Sequence, residues 1–287
     1  MSEPAGAVRA NDWNGVTGTR WVIHQQRLDA MMAPFGDAAM VAAMPAPGEH
    51  VLDIGCGAGA TSFALAERVG DEGRVLGLDI SASLIERGQR DAPPGSRVEF
   101  RLGDAAAMSL PAGGFDLLYS RLGVMFFDAP VDAFVHLRSA LKPGARLAFV
   151  CWRDAAENDW VRVPMGAVRD ILPPTPPPAP GTPGPYAFAD KAYVEAILRD
   201  AGFAEVALSR FDHGIVFGQG VDDAAAVDDA VNMVIEVGAF SRALTGQPED
   251  IRQRAIDAVR EVFAERVRDG RVMIDGAAWI VTARSPA

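Results

Sequence analysis

Apolar residues change their spacing along this chain. From about Trp21 to Met32 and again from Asp37 to Met44 they recur every three to four residues, the interval of a helix lying on a core. After the turn Pro45-Ala46-Pro47-Gly48, short apolar runs alternate with amphipathic stretches, as in a parallel sheet wrapped by helices. This pattern predicts strands at Val51–Ile54, Arg74–Asp79, Val98–Leu102, Phe115–Ser120 and Arg146–Trp152. Helices are predicted between them at Ala60–Val69, Ser83–Gln89 and Pro130–Leu141, and beyond them at Asn158–Asp170. The proline-dense run Leu172–Pro185 reads as an extended surface or lid loop. A helix at Asp190–Ala201, a strand at Ala204–Phe217, helices at Asp222–Leu244 and Pro248–Arg268, and a strand at Met273–Arg284 complete an α/β chain without repeats.

Composition narrows the function classes. The chain has 287 residues, 49% of them apolar, enough for one large domain or a domain with a cap. Its net charge of −11 repels phosphate backbones and anionic bilayers, so neither nucleic acid nor membrane is an expected partner. Cys56 and Cys151 are too few for a disulfide framework or a cysteine-rich zinc site, and no metal site is expected. Met1 to Arg20 lacks a secretion-signal pattern, and Ala224–Leu244 carries four charged residues, so a cytoplasmic location is expected.

The segment VLDIGCGAG, Val51–Gly59, lies on a strand–loop–helix boundary. Gly55, Gly57 and Gly59 let backbone approach a ligand that a Cβ would displace, and the next helix presents its first amides there. Nicotinamide and flavin enzymes also use glycine-rich loops. Here, however, Asp53 precedes the glycines, and a carboxylate suits a cationic ligand group better than a pyrophosphate. Asp79 ends the second strand, where an acid can accept hydrogen bonds from ribose hydroxyls. Gly103-Asp104-Ala105 follows the third strand, where an acid and an amide can read an adenine edge. The carboxyl ends of strands in an open parallel sheet converge on its binding crevice, so the three acids are expected together.

VLDIGCGAG, LGLDIS, GDAAAMSLP, FDLLYSRLGVMFF and LKPGARLAFVCW, in that order, resemble the class I S-adenosylmethionine-dependent methyltransferases. Within them the chain is most similar to the ubiquinone- and menaquinone-biosynthesis C-methyltransferase branch. The likeness covers about Pro47 to Trp152. It implies a Rossmann-like, seven-stranded, mostly parallel sheet with an antiparallel final hairpin, helices on both faces and helical cap elements. Four segments are expected: a helical lead-in over the cofactor (1–46), the core (47–217), a helical insertion serving as lid or homodimer contact (218–270), and the last core strand (271–287).

The resemblance also implies roles. Asp53 with the loop Gly55, Cys56, Gly57 and Gly59 would hold the methionine end of S-adenosylmethionine, and of its product S-adenosylhomocysteine. Asp79 would take the ribose, Ile80 one adenine face, Gly103, Asp104 and Ala105 the adenine edge, and Ser120 the methionyl part. Trp21, with Trp13, would cover the sulfonium by cation–π attraction or anchor the lead-in in the core.

Methyl transfer from a sulfonium is a direct displacement. Holding nucleophile, methyl and sulfur in line supplies much of the rate, about 7–11 kcal/mol by effective molarity. Catalytic candidates are His24 on the lead-in, His213 in the penultimate strand, and Arg121, which either clamps an anionic acceptor or pairs with an acid such as Asp128. His136, one turn from Asp132, reads as part of a solvated helix face. The expected activity is methyl transfer to a small apolar or aromatic acceptor at oxygen, nitrogen or carbon. The alternatives are a non-catalytic cofactor-binding regulatory subunit and an RNA methyltransferase.

Overall fold

The computed structural model describes residues 10–174, 178–179 and 181–287. Residues 175–177 and 180 of the proline-rich loop, and the first nine residues of the lead-in, lie outside the described residues. Two compact units emerge. One holds residues 10–152, 181–211 and 278–287; the other holds 153–174, 178–179 and 212–277.

In the first unit, β1 (His50–Ile54), β2 (Arg74–Asp79), β3 (Val98–Leu102), β4 (Phe115–Arg121) and β5 (Leu141–Trp152) are parallel. With β6 (Ala204–Gln219), the two-residue β7 (Val267–Arg268) and β8 (Arg271–Arg284) they form one sheet, ordered β3-β2-β1-β4-β5-β8-β6, with β7 paired to β8. β8 runs antiparallel to β5, pairing Phe149 with Val281 and Trp152 with Ala278. The expected seven-stranded, mostly parallel sheet closed by antiparallel strands is present, with β7 as a short addition. The central strands are apolar on both faces because helices cover both: Val51, Leu52, Leu78, Leu117, Leu118 and Phe149 are all buried.

The connecting helices are α1 (Val16–Ile23), α2 (Gln25–Ala43), α3 (Ala60–Val69), α4 (Ala82–Asp91), α5 (Pro130–Ser139) and α7 (Lys191–Asp200). Between α5 and α7 in sequence, α6 (Asp159–Ala167) belongs to the second unit. Phe134 of α5 stacks on Phe149 at 5.9 Å and on Phe188 at 6.3 Å, anchoring that layer.

Several boundaries depart from expectation: the helix read over Trp21–Met32 is divided at His24 between α1 and α2, and the end of the one read over Pro248–Arg268 forms β7. The lead-in does not break at residues 33–36: α2 continues through Pro34. A proline inside a helix removes one backbone bond, but Leu28, Met31, Phe35, Ala39 and Met40 of α2 are buried, and that packing outweighs the local loss. β5 starts at Leu141, not Arg146: Leu141 pairs with Phe115 ahead of a register shift between Phe115 and Leu117, and Gly144 passes this irregularity at a φ of +75°. The helix expected over Asp222–Leu244 divides into α8 (Asp223–Glu236) and α9 (Ala239–Leu244) at Gly238, whose φ of 100° lies outside helical space.

In the second unit, α8 packs on α10 (Glu249–Ala264). Both bury apolar residues, Ala226, Ala230 and Val234 on one and Ala255, Val259 and Phe263 on the other. The fully buried Asn158 ties the start of α6 to β8. Its Nδ2 donates to the carbonyls of Arg153, Asp154 and Ala277, and its Oδ1 accepts from the Ala277 amide at 2.9 Å. Among the described residues no helix is long and apolar enough to cross a membrane, and no group of three or more His, Cys, Asp or Glu residues is arranged to hold a metal ion.

Candidate cofactor and acceptor site

The site lies in the first unit, at the carboxyl ends of β1, β2, β3 and β4. Gly55 and Cys56 turn the chain out of β1, and both amides donate to the Leu78 carbonyl at 2.8 and 3.0 Å. Gly55 has φ +66°, and a Cβ there would come within 2.7 Å of Gly123 Cα, so only glycine fits. Gly57 has φ +57° with nothing within 4 Å of the position a Cβ would take, leaving its backbone open to a ligand.

Asp53, in β1 below this loop, is completely buried. Its Oδ2 accepts from Thr61 Oγ1 at 2.7 Å and Ser62 Oγ at 2.6 Å, both in the first turn of α3. Its Oδ1 has no hydrogen-bond partner. Burial pushes its carboxyl up to about 6, against the pull of the two hydroxyls and the Arg121 guanidinium. A buried carboxylate with one bare oxygen suits a cation or a hydrogen-bond donor brought by a ligand.

Asp79 ends β2. Its Oδ2 accepts from the Gly57 amide and its Oδ1 from the Ser81 amide, each at 2.8 Å. Burial raises its pKa while these amides hold it down. Its carboxylate is thus fixed in direction, with further lone pairs for hydroxyl donors. One strand over, the Gly103 amide donates to the Asp79 carbonyl at 2.9 Å. Asp104 is exposed and closes its own turn, with Oδ1 accepting from the Ala106 amide at 2.9 Å and its carbonyl accepting from the Met108 amide at 2.8 Å. His136 is not simply solvated: its Nε2 lies 2.8 Å from the Met108 carbonyl, which can only accept, so that nitrogen carries the proton and tethers the turn to α5.

At the end of β4, Ser120 Oγ donates to the Ile54 carbonyl at 2.7 Å and accepts from the Gly123 amide at 3.2 Å. The Ser120 side chain therefore joins the tips of β1 and β4. Tyr119, fully buried, donates to the Gly36 carbonyl of α2 at 2.8 Å, and burial raises its pKa. Arg121 pairs with Asp29 of α2, not with the Asp128 expected from its nearness in sequence. Helix α2 carries Asp29 onto this strand end, a contact 92 residues apart in sequence. Asp29, Asp37, Arg121 and Thr61 line a cavity of about 290 Å³ walled by small side chains of α2 and α3.

Cys56 packs against Gly77, and burial raises its thiol pKa, which removes it as a nucleophile. Trp21 meets Trp13 edge to face at 5.1 Å, and Trp13 meets Phe126 at 5.5 Å. His24 is half-buried at the junction of α1 and α2 and does not line the cavity. His213 is exposed on β6 and belongs to the other unit. The structure thus gathers Asp53, Asp79, the Asp104 turn, Ser120, Arg121 and the glycine loop in one unit, and leaves His213 out. Thr61, Ser62 and Asp29 escaped the sequence reading, although hydroxyls eight and nine residues after a strand acid, at a helix start, are a usable signal.

Residues 51–144 match the family model described as a methyltransferase domain. The nocamycin O-methyltransferase of Saccharothrix syringae is 35% identical over 173 residues, covering 56% of this chain and 61% of that protein. The aklanonic acid methyltransferase DauC of Streptomyces sp. strain C5 is 38% identical over 118 residues, covering 40% and 54%. The chain therefore spans less than two thirds of either relative. The solved structure of YcgJ from Bacillus subtilis superposes with a TM-score of 0.55 at 17% identity, covering 87% of this chain and 97% of that one, a likeness of fold. Over residues 51–144 the chain is therefore similar to the methyltransferase-domain family.

Proposed function

We propose that this protein transfers the methyl group of S-adenosylmethionine to a small, apolar or aromatic acceptor. The observation that carries the reading is the buried, half-satisfied carboxylate of Asp53 beneath an open glycine backbone, one strand from the fixed carboxylate of Asp79. The residues present fit the cofactor. Asp53 Oδ1 lacks a donor that an ammonium would supply, Gly57 offers bare backbone, and Asp79 is pre-aimed for ribose hydroxyls. Cys56 contributes packing to the loop, Ile80 and the turn Gly103, Asp104 and Ala105 are assigned to the adenine, and Trp21 to the cover. When bound, the cofactor supplies an electrophilic methyl on a sulfonium.

The chain's own residues then have limited work: to orient, to exclude water and to place the acceptor in line. Arg121, rather than His24 or His213, is the group we assign to the acceptor, because it lines the cavity and neither histidine does. Exchanging Asp29 for an acceptor carboxylate or phenolate would keep the guanidinium paired. The small side chains Ala30, Ala33, Ala60 and Ala64 leave room for an apolar ring beside it. The two relatives, one named for O-methyl transfer to nocamycin and one for aklanonic acid, support a small-molecule acceptor.

Titration calorimetry with S-adenosylhomocysteine tests the first half of the reading. The wild-type chain is expected to bind it, and Asp79→Ala to bind about 100-fold more weakly, from the loss of two hydrogen bonds to a charged acceptor at about 1.5–3 kcal/mol each, partly replaced by water. No binding by the wild type, or equal binding by Asp79→Ala, refutes the assignment.

A further inference from the structure

The turn that carries Trp13 and Asn14 is fastened to the turn that follows Asp79. Asn14 Nδ2 donates to the Ile80 carbonyl at 2.9 Å, and Asn14 Oδ1 accepts from the Ala82 amide at 3.1 Å. Between these two bonds, Ser81 Oγ donates to the Trp13 carbonyl at 3.0 Å, while the Ser81 amide donates to Asp79 Oδ1. Three consecutive residues, Ile80, Ser81 and Ala82, are thus held by two consecutive residues 66 to 68 positions earlier. Ala82 opens α4, and Ser81 at its N-cap makes no side-chain cap of its own. Asn14 therefore caps α4 from outside the helix. The same turn of chain carries Trp13, which contacts Trp21 and Phe126 edge to face. The backbone fit is close: a Cβ at Gly18 would fall 1.9 Å from the Trp13 carbonyl oxygen.

We propose that Asn14 is a positioning residue for the nucleoside, setting the Ile80–Ala82 turn behind Asp79 and the Trp13–Trp21 cover in a single register. The inference rests on the cofactor reading above and adds to it the residue that couples the N-terminal segment to the ribose-binding strand end. Asn14 acts through Ile80 and Ala82, so its loss acts on the nucleoside and leaves the homocysteine end untouched. An asparagine is needed because one side must donate and the other accept.

The test measures affinities of wild type, Asn14→Ala and Asn14→Asp for S-adenosylhomocysteine and for 5′-methylthioadenosine by calorimetry, with the unliganded melting temperature alongside. Asn14→Ala is expected to weaken both ligands by the same factor, about tenfold. Asn14→Asp keeps the acceptor for Ala82 and loses the donor to Ile80, so it is expected to fall between, about threefold weaker for both. A role in folding alone would lower the melting temperature and leave the affinities in place. Equal affinities for wild type and Asn14→Ala, or a loss confined to S-adenosylhomocysteine, overturn the proposal. If Asn14→Ala does not fold, Asn14→Asp decides by the same criteria, and unchanged binding refutes. A wild-type chain that binds neither nucleoside shows instead that the cofactor reading has failed, and this inference falls with it.

Discussion

Replacing Asp53 by asparagine separates the two demands on that position. The carboxyl is fully buried, and burial lifts its pKa from the ordinary 3.8 to about 6. Between those values the folded chain holds a proton that the unfolded chain has released. The associated stability is fully present below pH 3.8 and is lost as the pH rises through 6. The difference corresponds to about 3 kcal/mol. Asparagine does not titrate, and its Oδ1 can still accept from Thr61 and Ser62. Its NH2 would take the place of the partnerless Oδ1, a fixed cost of about 1–2 kcal/mol. Asp53→Asn is therefore expected to be less stable than wild type at pH 4 and more stable at pH 8, the difference swinging by about 3 kcal/mol across that range. The same change should weaken S-adenosylhomocysteine binding at pH 8 by about 10- to 100-fold, since an ammonium would lose a charged acceptor. Urea titrations at pH 4, 5, 6, 7 and 8, with calorimetry at pH 8, make the measurement. A stability difference that stays constant with pH refutes the reasoning, whatever its sign.

Gly55→Ala adds a Cβ 2.7 Å from Gly123 Cα at a positive φ, backbone against backbone, and is expected to cost about 2–4 kcal/mol in urea unfolding; full stability would show that the loop can move aside. Tyr119→Phe leaves the Gly36 carbonyl without its donor and should cost about 1–2 kcal/mol with an unchanged denaturant slope. Arg121→Ala removes the cation that lowers the Asp53 pKa, so the pH at which stability falls off should move upward; an unmoved or lowered midpoint in the same pH series would contradict that coupling.

The parallel half of the sheet was legible because each of its strands is a short apolar run ending in a polar signal, as in VLDIGCG and LGLDIS. Such runs need no distant partner to be recognised, and the acids at their ends follow from the direction of the strands. Contacts made by the helices were not legible. Asp29 reaches Arg121 and Gly36 reaches Tyr119 only because α2 lies across β4, and nothing local in either segment encodes that crossing. Pro34 misled for a related reason: a local helix breaker was overruled by the burial of Phe35 and Met40 beside it. His136 was misread because its position on α5 shows a polar face but not the Met108 carbonyl that turns toward it. The Asn14 contacts join residues 66 and 68 positions apart through side chains that also suit any exposed turn.

The last strand enters the sheet between β5 and β6, both made earlier in the chain. Until residues 271–284 leave the ribosome, β5 has an open edge where Phe149, Val150 and Cys151 await Val281, Ile280 and Trp279. The nascent protein must wait with that edge bare while α8, α9 and α10 are synthesised. A chaperone that holds this intermediate, or a fast translation rate through residues 220–270, would bear directly on the yield of soluble product.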